Sequence, residues 1–219
     1  MGTSVSGVGT LDKAVIVLDA LSGGPRSLAD LVDATGLSRA TAHRLATALE
    51  VHDLVRRDDD GRFAPGLRLV ALGRAAAEAF PLAEAAGPAL AQLRQATGES
   101  TQLYVREGDE RICVAALESP HGLRTIVPLG AALPLDKGSA GTVLLGDQPA
   151  VATRGWAESV GQREAGVASV SAPVHDADGR LVAAVSVSGP IERTGRQPGQ
   201  RWGDEVAAAA RRIEQTAGR

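Results

Sequence analysis

The sequence predicts an α+β chain in three parts: an N-terminal winged helix-turn-helix, a linking helix, and a C-terminal α/β domain built on an antiparallel sheet. Three observations predict it. Helical periodicity runs through residues 11–80, broken by one hairpin pattern; a period of two takes over from residue 101; and an amphipathic helical stripe closes the chain. With 219 residues, 44% of them hydrophobic and 22% charged, the composition is that of a folded chain and not of a disordered one. Only five residues are aromatic, two Trp, one Tyr and two Phe, which argues against base stacking on exposed aromatic platforms. No run reaches the ~18–20 apolar residues of a membrane span, and no basic start precedes an apolar stretch, so the expected location is cytoplasmic, with no membrane partner. Cys113 is the single cysteine, which excludes an internal disulfide and suits a reducing compartment.

Leu11, Ala14, Val15, Leu18 and Leu21 recur at helical spacing, giving a first helix over 11–21 that Ser22-Gly23-Gly24-Pro25 breaks. Ser27 can cap a second helix with the stripe Leu28, Leu31 and Val32 and with Asp30 in its first turn; Gly36 ends it. Ser38 caps a third, over 38–50, whose Ala42, Leu45, Ala46 and Leu49 face inward. Ala40, Arg44 and Thr47 project to the opposite side, flanked by Thr41 and His43. Two short helices joined at a tight glycine turn make a helix-turn-helix. Residues 54–57 and 62–63 then flank an acidic corner with Asp60-Gly61 at its tip, the chemistry of a hairpin, and a hairpin there is a wing.

A helix so placed is shaped for the DNA major groove. Ser38, Arg39, Ala40, Thr41, His43, Arg44 and Thr47 are therefore the candidate DNA contacts on the helix, with Arg56, Arg57 and Arg62 reaching phosphates or the minor groove from the wing. Arg44 is the strongest candidate for base readout, because a guanidinium matches the two acceptors of guanine. Residues 1–66 nevertheless carry seven basic against nine acidic side chains. Affinity must then come from doubled contacts in a dimer rather than from a broad basic face. A winged helix that contacts protein, in a ligand-free assembly module, is the alternative, and salt dependence separates the two.

Residues 67–80 form a further helical pattern, and Gly87-Pro88 is expected to open another helix that ends at Thr97-Gly98. Strands are predicted over 101–106, 111–117 and 125–129, a helix over 139–145, and a hairpin of 167–174 with 181–188 around Asp178-Gly179. Alternation puts Ser169 with Ser171 on one face and Ser186 with Ser188 on one face; the turn is expected to bring Ser169 opposite Ser186, so that hydroxyls converge. The closing helix spans 202–216. Cys113 and His121 could form a thiolate–imidazole pair, but Cys113 lies in the apolar run "ICVAAL", where a buried inert cysteine is expected. His43, His52, His121 and His175 lack metal-ligand spacing, and Asp58-Asp59-Asp60 lacks the rest of a calcium loop. No catalytic residue, metal site or cofactor is expected.

The segments "SLADLVDATGLSRATAHRLATALEVHDLVRRDDDGRF", "VPLGAALPLDKGSAG" and "GVASVSAPVHDADGRLVAAVSVSGP", in this order, resemble the IclR family of transcriptional regulators over essentially the whole chain. Within the family the resemblance is closest to the actinobacterial branch associated with amino-acid biosynthesis, leucine in particular. It implies a winged helix-turn-helix DNA-binding domain at 1–66, an interdomain helix at 67–80 and a GAF-like effector-binding domain at 81–219. It further implies a ligand-responsive repressor of metabolic genes that binds an inverted-repeat operator as a homodimer or tetramer, and a small effector, commonly a carboxylate or amino-acid-related metabolite. By the same resemblance Ser139, Ala140, Ser169, Ser186 and Ser188 bind the effector; hydroxyls and free backbone amides can hold a carboxylate without a metal. The chain departs from the family pattern in three places. The segment around 146–154 is short, Ser159 and Gln162 stand where a carboxylate is common, and Gly141-Thr142-Val143 replaces the common Gly-Lys-Ala.

Overall fold

The computed structural model describes residues 6–78, 81–146 and 149–218, and the chain divides into two compact units, Met1–Ala79 and Phe80–Arg219. The first contains α1 (Gly9–Leu21), α2 (Leu28–Thr35), α3 (Arg39–Val51), β1 (Val55–Arg57), β2 (Phe63–Pro65) and α4 (Leu67–Glu78). Ser27 caps α2 in a reciprocal box: its hydroxyl accepts from the Asp30 N–H while the Asp30 carboxylate accepts from the Ser27 N–H. Gly36, with φ 65°, supplies the left-handed residue that stops the helix. Val17 and Leu21 of α1, Leu31 of α2, Leu45, Ala46 and Leu49 of α3, and Val55 and Phe63 of the wing close one core. Phe63 is fully buried, and its backbone exchanges two hydrogen bonds of 2.8 Å with Arg26, so the loop between α1 and α2 adds a third short edge to the wing. A side chain at Gly66 would run into the Asp53 carbonyl, which is why a glycine stands where the wing returns to α3. The last two residues of the expected linking helix, 79 and 80, lie outside the described residues.

The second unit contains α5 (Pro81–Thr97), β3 (Ser100–Glu107), β4 (Glu110–Leu117), β5 (Ala132–Pro134), α6 (Ser139–Leu144), α7 (Pro149–Arg154), β6 (Ala157–Val160), β7 (Val167–His175), β8 (Leu181–Pro190), α8 (Ile191–Thr194) and α9 (Pro198–Ala217). The strands form one antiparallel sheet in the order β5-β4-β3-β8-β7-β6. On one face Leu103, Val170, Ala172, Val174, Val185 and Val187 pack against Leu90 and Leu93 of α5 and Val206, Ala209 and Ile213 of α9. On the other, Tyr104, Cys113, Ala157 and Ala184 pack with Ala140, Val143 and Leu144 of α6.

Four sequence expectations are corrected. Residues 125–129 are not a strand: Pro128 has no N–H to give, Gly130 turns the chain at φ 78°, and 132–134 become the edge strand beside β4. Pro81 rather than Gly87-Pro88 opens α5; proline suits a first turn, and Pro88 sits inside the helix on its exposed side. The last helix starts at Pro198, ahead of Trp202, because Gly199 and Gly203 provide the bare backbone against which the Trp156 ring lies. In the β7–β8 hairpin, Ser169 faces Ser188 and Ser171 faces Ser186; a bulge between Val174 and His175 sets this register.

Candidate functional site

In the first unit the side chains of Ser38 and Thr41 are bonded to each other (2.9 Å) and Ser38 also accepts the Thr41 N–H, so both serve the start of α3. Arg39, Ala40, His43, Arg44 and Thr47 are exposed on the face opposite the buried Ala42, Leu45, Ala46 and Leu49. The side chains of Arg39 and Arg44 have no hydrogen bond or ion pair among the described residues. His43 approaches Phe63 edge-on, its ring centroid 6.5 Å away.

The three wing arginines are not equivalent. Arg56 is exposed, and its side chain has no hydrogen bond or ion pair among the described residues. Arg57 lies over the Phe63 ring at 4.1 Å, donates to the Gly61 carbonyl at 3.0 Å and approaches Glu50 of α3 at 3.5 Å. Arg62 bridges Asp58 at 2.8 Å and Asp60 at 3.0 Å. The acidic corner therefore neutralises Arg62 inside the wing, and the freely offered cations of the first unit's described DNA-facing candidates are Arg39, Arg44 and Arg56.

In the second unit a cavity of about 20 Å³, room for about one water, is lined by Tyr104, Arg111, Gly138, Ser139, Ala140, Ser159, Arg163, Val167, Ser169, Ser186 and Ser188. All five residues that the resemblance assigns to an effector are thus on one wall set. Their hydroxyls form a chain: Ser139 Oγ lies 2.7 Å from Ser169 Oγ and 2.8 Å from Ser171 Oγ, and Ser171 donates to Ser186 Oγ at 2.9 Å. Sheet register creates the convergence, because Ser159, Ser169, Ser188 and Ser100 are successive cross-strand partners on β6, β7, β8 and β3. Ser188 donates to the buried Gln102 at 3.2 Å, and the Gly138 N–H donates to Gln162 Oε1 at 3.2 Å, so that backbone amide is already taken.

Sequence reasoning missed Arg111 and Tyr104. Arg111 is 3% exposed. Its Nη1 donates to the carbonyls of Pro134 and Lys137, its guanidinium lies 5.5 Å from the Tyr104 ring centre, and its Nε has no hydrogen-bond partner among the described residues. Burial lowers its pKa from the ordinary arginine value, and burial likewise pushes the Tyr104 phenol well up, leaving it neutral. The signal was present: Arg111 stands two residues before Cys113, which sequence already puts inside, and alternation buries both together. Cys113 is buried as expected, and burial pushes its thiol up to about 11.

Comparison with known proteins agrees with both halves. Residues 10–59 match the IclR helix-turn-helix domain, and residues 74–151 and 149–215 match, in two pieces that meet at α7, the bacterial transcriptional regulator IclR C-terminal domain. The chain is 28% identical over 235 aligned positions to the glycerol operon regulatory protein of Streptomyces coelicolor, covering 92% of each. It is 26% identical to the HTH-type transcriptional repressor AllR of Escherichia coli K12, covering 97% of this chain and 91% of that one. Among solved structures, a putative transcriptional regulator from Rhodococcus sp. RHA1 superposes with TM-score 0.75 at 25% identity, over 96% of this chain and 98% of that one. An IclR homolog from Microbacterium hydrocarbonoxydans complexed with 4-hydroxybenzoate gives TM-score 0.76 at 23% identity, over 95% and 98%. These relatives are named as regulators rather than enzymes, and no helix among the described residues is long and apolar enough to cross a membrane. The chain belongs to the IclR family of bacterial transcriptional regulators.

Proposed function

We propose that this regulator represses metabolic genes by binding an inverted-repeat operator as a homodimer or tetramer, and that a small metabolite in the serine-lined cavity changes its operator affinity. The single observation that carries the reading is the five-residue convergence of Ser139, Ala140, Ser169, Ser186 and Ser188 on one cavity, in a chain that also offers, on a capped α3, arginines whose side chains have no partner among the described residues. The name of AllR as a repressor and the 4-hydroxybenzoate complex of the Microbacterium homolog support repression and a carboxylate effector. Carboxylates related to amino-acid metabolism, leucine biosynthesis included, belong to the class to be screened. DNA contacts are assigned to Arg39, Ala40, His43, Arg44, Thr47 and Arg56 directly, to Ser38 and Thr41 through the helix cap, and to Arg57 and Arg62 through wing shape. An effector shifts operator affinity only by its own preference between the two states. α4 is the proposed transmitter, and Gly73→Pro should break the response to effector while leaving each binding event intact.

The test is retention of sheared genomic DNA from the source organism on purified protein at physiological salt, with Arg44→Ala beside it. Retention of a few promoter fragments sharing an inverted repeat, lost in the variant, is expected. Equal retention of all fragments by both proteins, or of none by either, would overturn the proposal.

A further inference from the structure

The cavity has an unusual charge inventory. Two arginines and five serines line it, and among the described residues no carboxylate side chain does. Arg163 has a carboxylate of its own in Glu164, at 3.5 Å. Arg111 has none: it makes no ion pair among the described residues, and Asp136, which acts on it through space, is exposed. A guanidinium stays charged in proteins, and a buried charge without a counter-charge is costly. The carbonyls of Pro134 and Lys137 and the Tyr104 ring face offset part of that cost, yet Nε of this cavity-lining residue is buried with no hydrogen-bond partner among the described residues. A bound anion would supply the missing charge.

The same inventory says what the ligand lacks. An α-amino acid brings an ammonium group that demands an acceptor, ideally a carboxylate, and burying it beside a guanidinium sets two positive charges together. The serine hydroxyls donate as readily as they accept, so they suit a hydroxyl, carbonyl or second oxyanion at the ligand's other end. Resting on the reading that the serine cavity is the effector site, we propose that Arg111 is the charge anchor of the effector, and that the effector is a small oxyanion carrying no ammonium group. The hydroxyl chain from Ser169 through Ser139 and Ser171 to Ser186 is closed by its own hydrogen bonds and the cavity as it stands has room for about one water, so the ligand binds by parting these walls and exchanging their bonds for its own oxygens.

The experiment is calorimetric titration of the full chain with matched probes. L-malate is compared with L-aspartate, and 2-hydroxy-4-methylpentanoate with L-leucine, each pair differing in hydroxyl against ammonium; inorganic phosphate is the oxyanion that is not a carboxylate. The hydroxy acid of at least one pair, or phosphate, should bind at least ~10-fold tighter than either amino acid, since a factor of ten is a small part of what an unpaired buried charge costs. Phosphate binding without carboxylate binding would assign the source to phosphate esters; the reverse would assign it to carboxylic acids. Arg111→Met should weaken the bound probe by about 30-fold or more, as truncation of one partner of a buried charge pair does. Arg111→Lys, which keeps the charge and loses the planar fork, should fall between. If Arg111→Met cannot be purified folded, the Arg111→Lys and hydroxy-against-amino comparisons decide. Loss of binding in Ser186→Ala with full binding in Arg111→Met would overturn the anchor and keep the cavity. A probe whose affinity neither variant changes would overturn both. An amino acid that binds as tightly as its hydroxy acid, or no oxyanion binding to the wild type, would overturn the proposal.

Discussion

The Arg57 guanidinium lies 4.1 Å above the ring of the buried Phe63 and is held there by the Gly61 carbonyl and Glu50. A residue that reads from sequence as a phosphate contact thus also pins the wing to α3. Arg57→Ala should lower the stability of the first unit by about 1 kcal/mol, the scale of an exposed cation–π contact with its neighbouring bonds. Arg44→Ala should leave melting unchanged and weaken specific operator binding by about 1–3 kcal/mol, the worth of one base-reading arginine. Thermal melts and fluorescence anisotropy on both variants separate the two roles. A melting loss for Arg44→Ala would argue that its side chain is structural.

Ser27 and Asp30 link the cap of α2 to pH. The Ser27 side-chain hydrogen bond, and then its backbone N–H, hold the Asp30 carboxyl below its ordinary value. An acid whose folded pKa is depressed contributes stability above its unfolded pKa of about 3.9 and loses it as pH falls through the folded value. Ser27→Ala should lower the midpoint by ~4–8 °C at neutral pH, as expected for one lost cap in a small unit. Its deficit should shrink below about pH 4, where wild type loses the same contribution. Melting curves across that range are the check, and a deficit that grows on acidification would contradict the sign.

Gly66 and Gly73, either side of the start of α4, should respond oppositely to alanine. At Gly66 an added Cβ meets the Asp53 carbonyl, which is backbone and cannot swing aside, so Gly66→Ala should cost about 1–3 kcal/mol or more. At Gly73, inside α4, nothing lies within 4 Å, and Gly73→Ala should gain about 0.5–1 kcal/mol from helix propensity. Denaturant titration of the two variants measures both signs.

Cys113 should behave as a small apolar side chain. Its burial and a thiol pushed up to about 11 leave almost no thiolate at neutral pH. Alkylation by iodoacetamide in the native state should be slow compared with the unfolded chain, and Cys113→Ser should leave operator binding intact. Rapid native labelling would show that the strand opens.

What the sequence determined by itself is local. Ser27, Ser38 and Gly36 set helix ends through hydrogen bonds within a few residues, Asp60-Gly61 set the wing, and alternation put Ser169, Ser171, Ser186 and Ser188 on the correct faces. Five effector candidates could be named because a motif-level resemblance carries positions, and the sheet then brought those positions together. What only the tertiary structure decided depends on partners far along the chain. The register of β7 on β8 turns on one bulge that has no mark in the sequence, and the start of α9 turns on Trp156, more than forty residues before it. The wing arginines divide into free and engaged according to which carboxylates the fold puts beside them: Glu50, Asp58 and Asp60. Arg111 is the clearest case. Alternation could bury it, but its lack of an ion pair among the described residues is a property of every element around the cavity at once, and no local pattern records the absence of a partner.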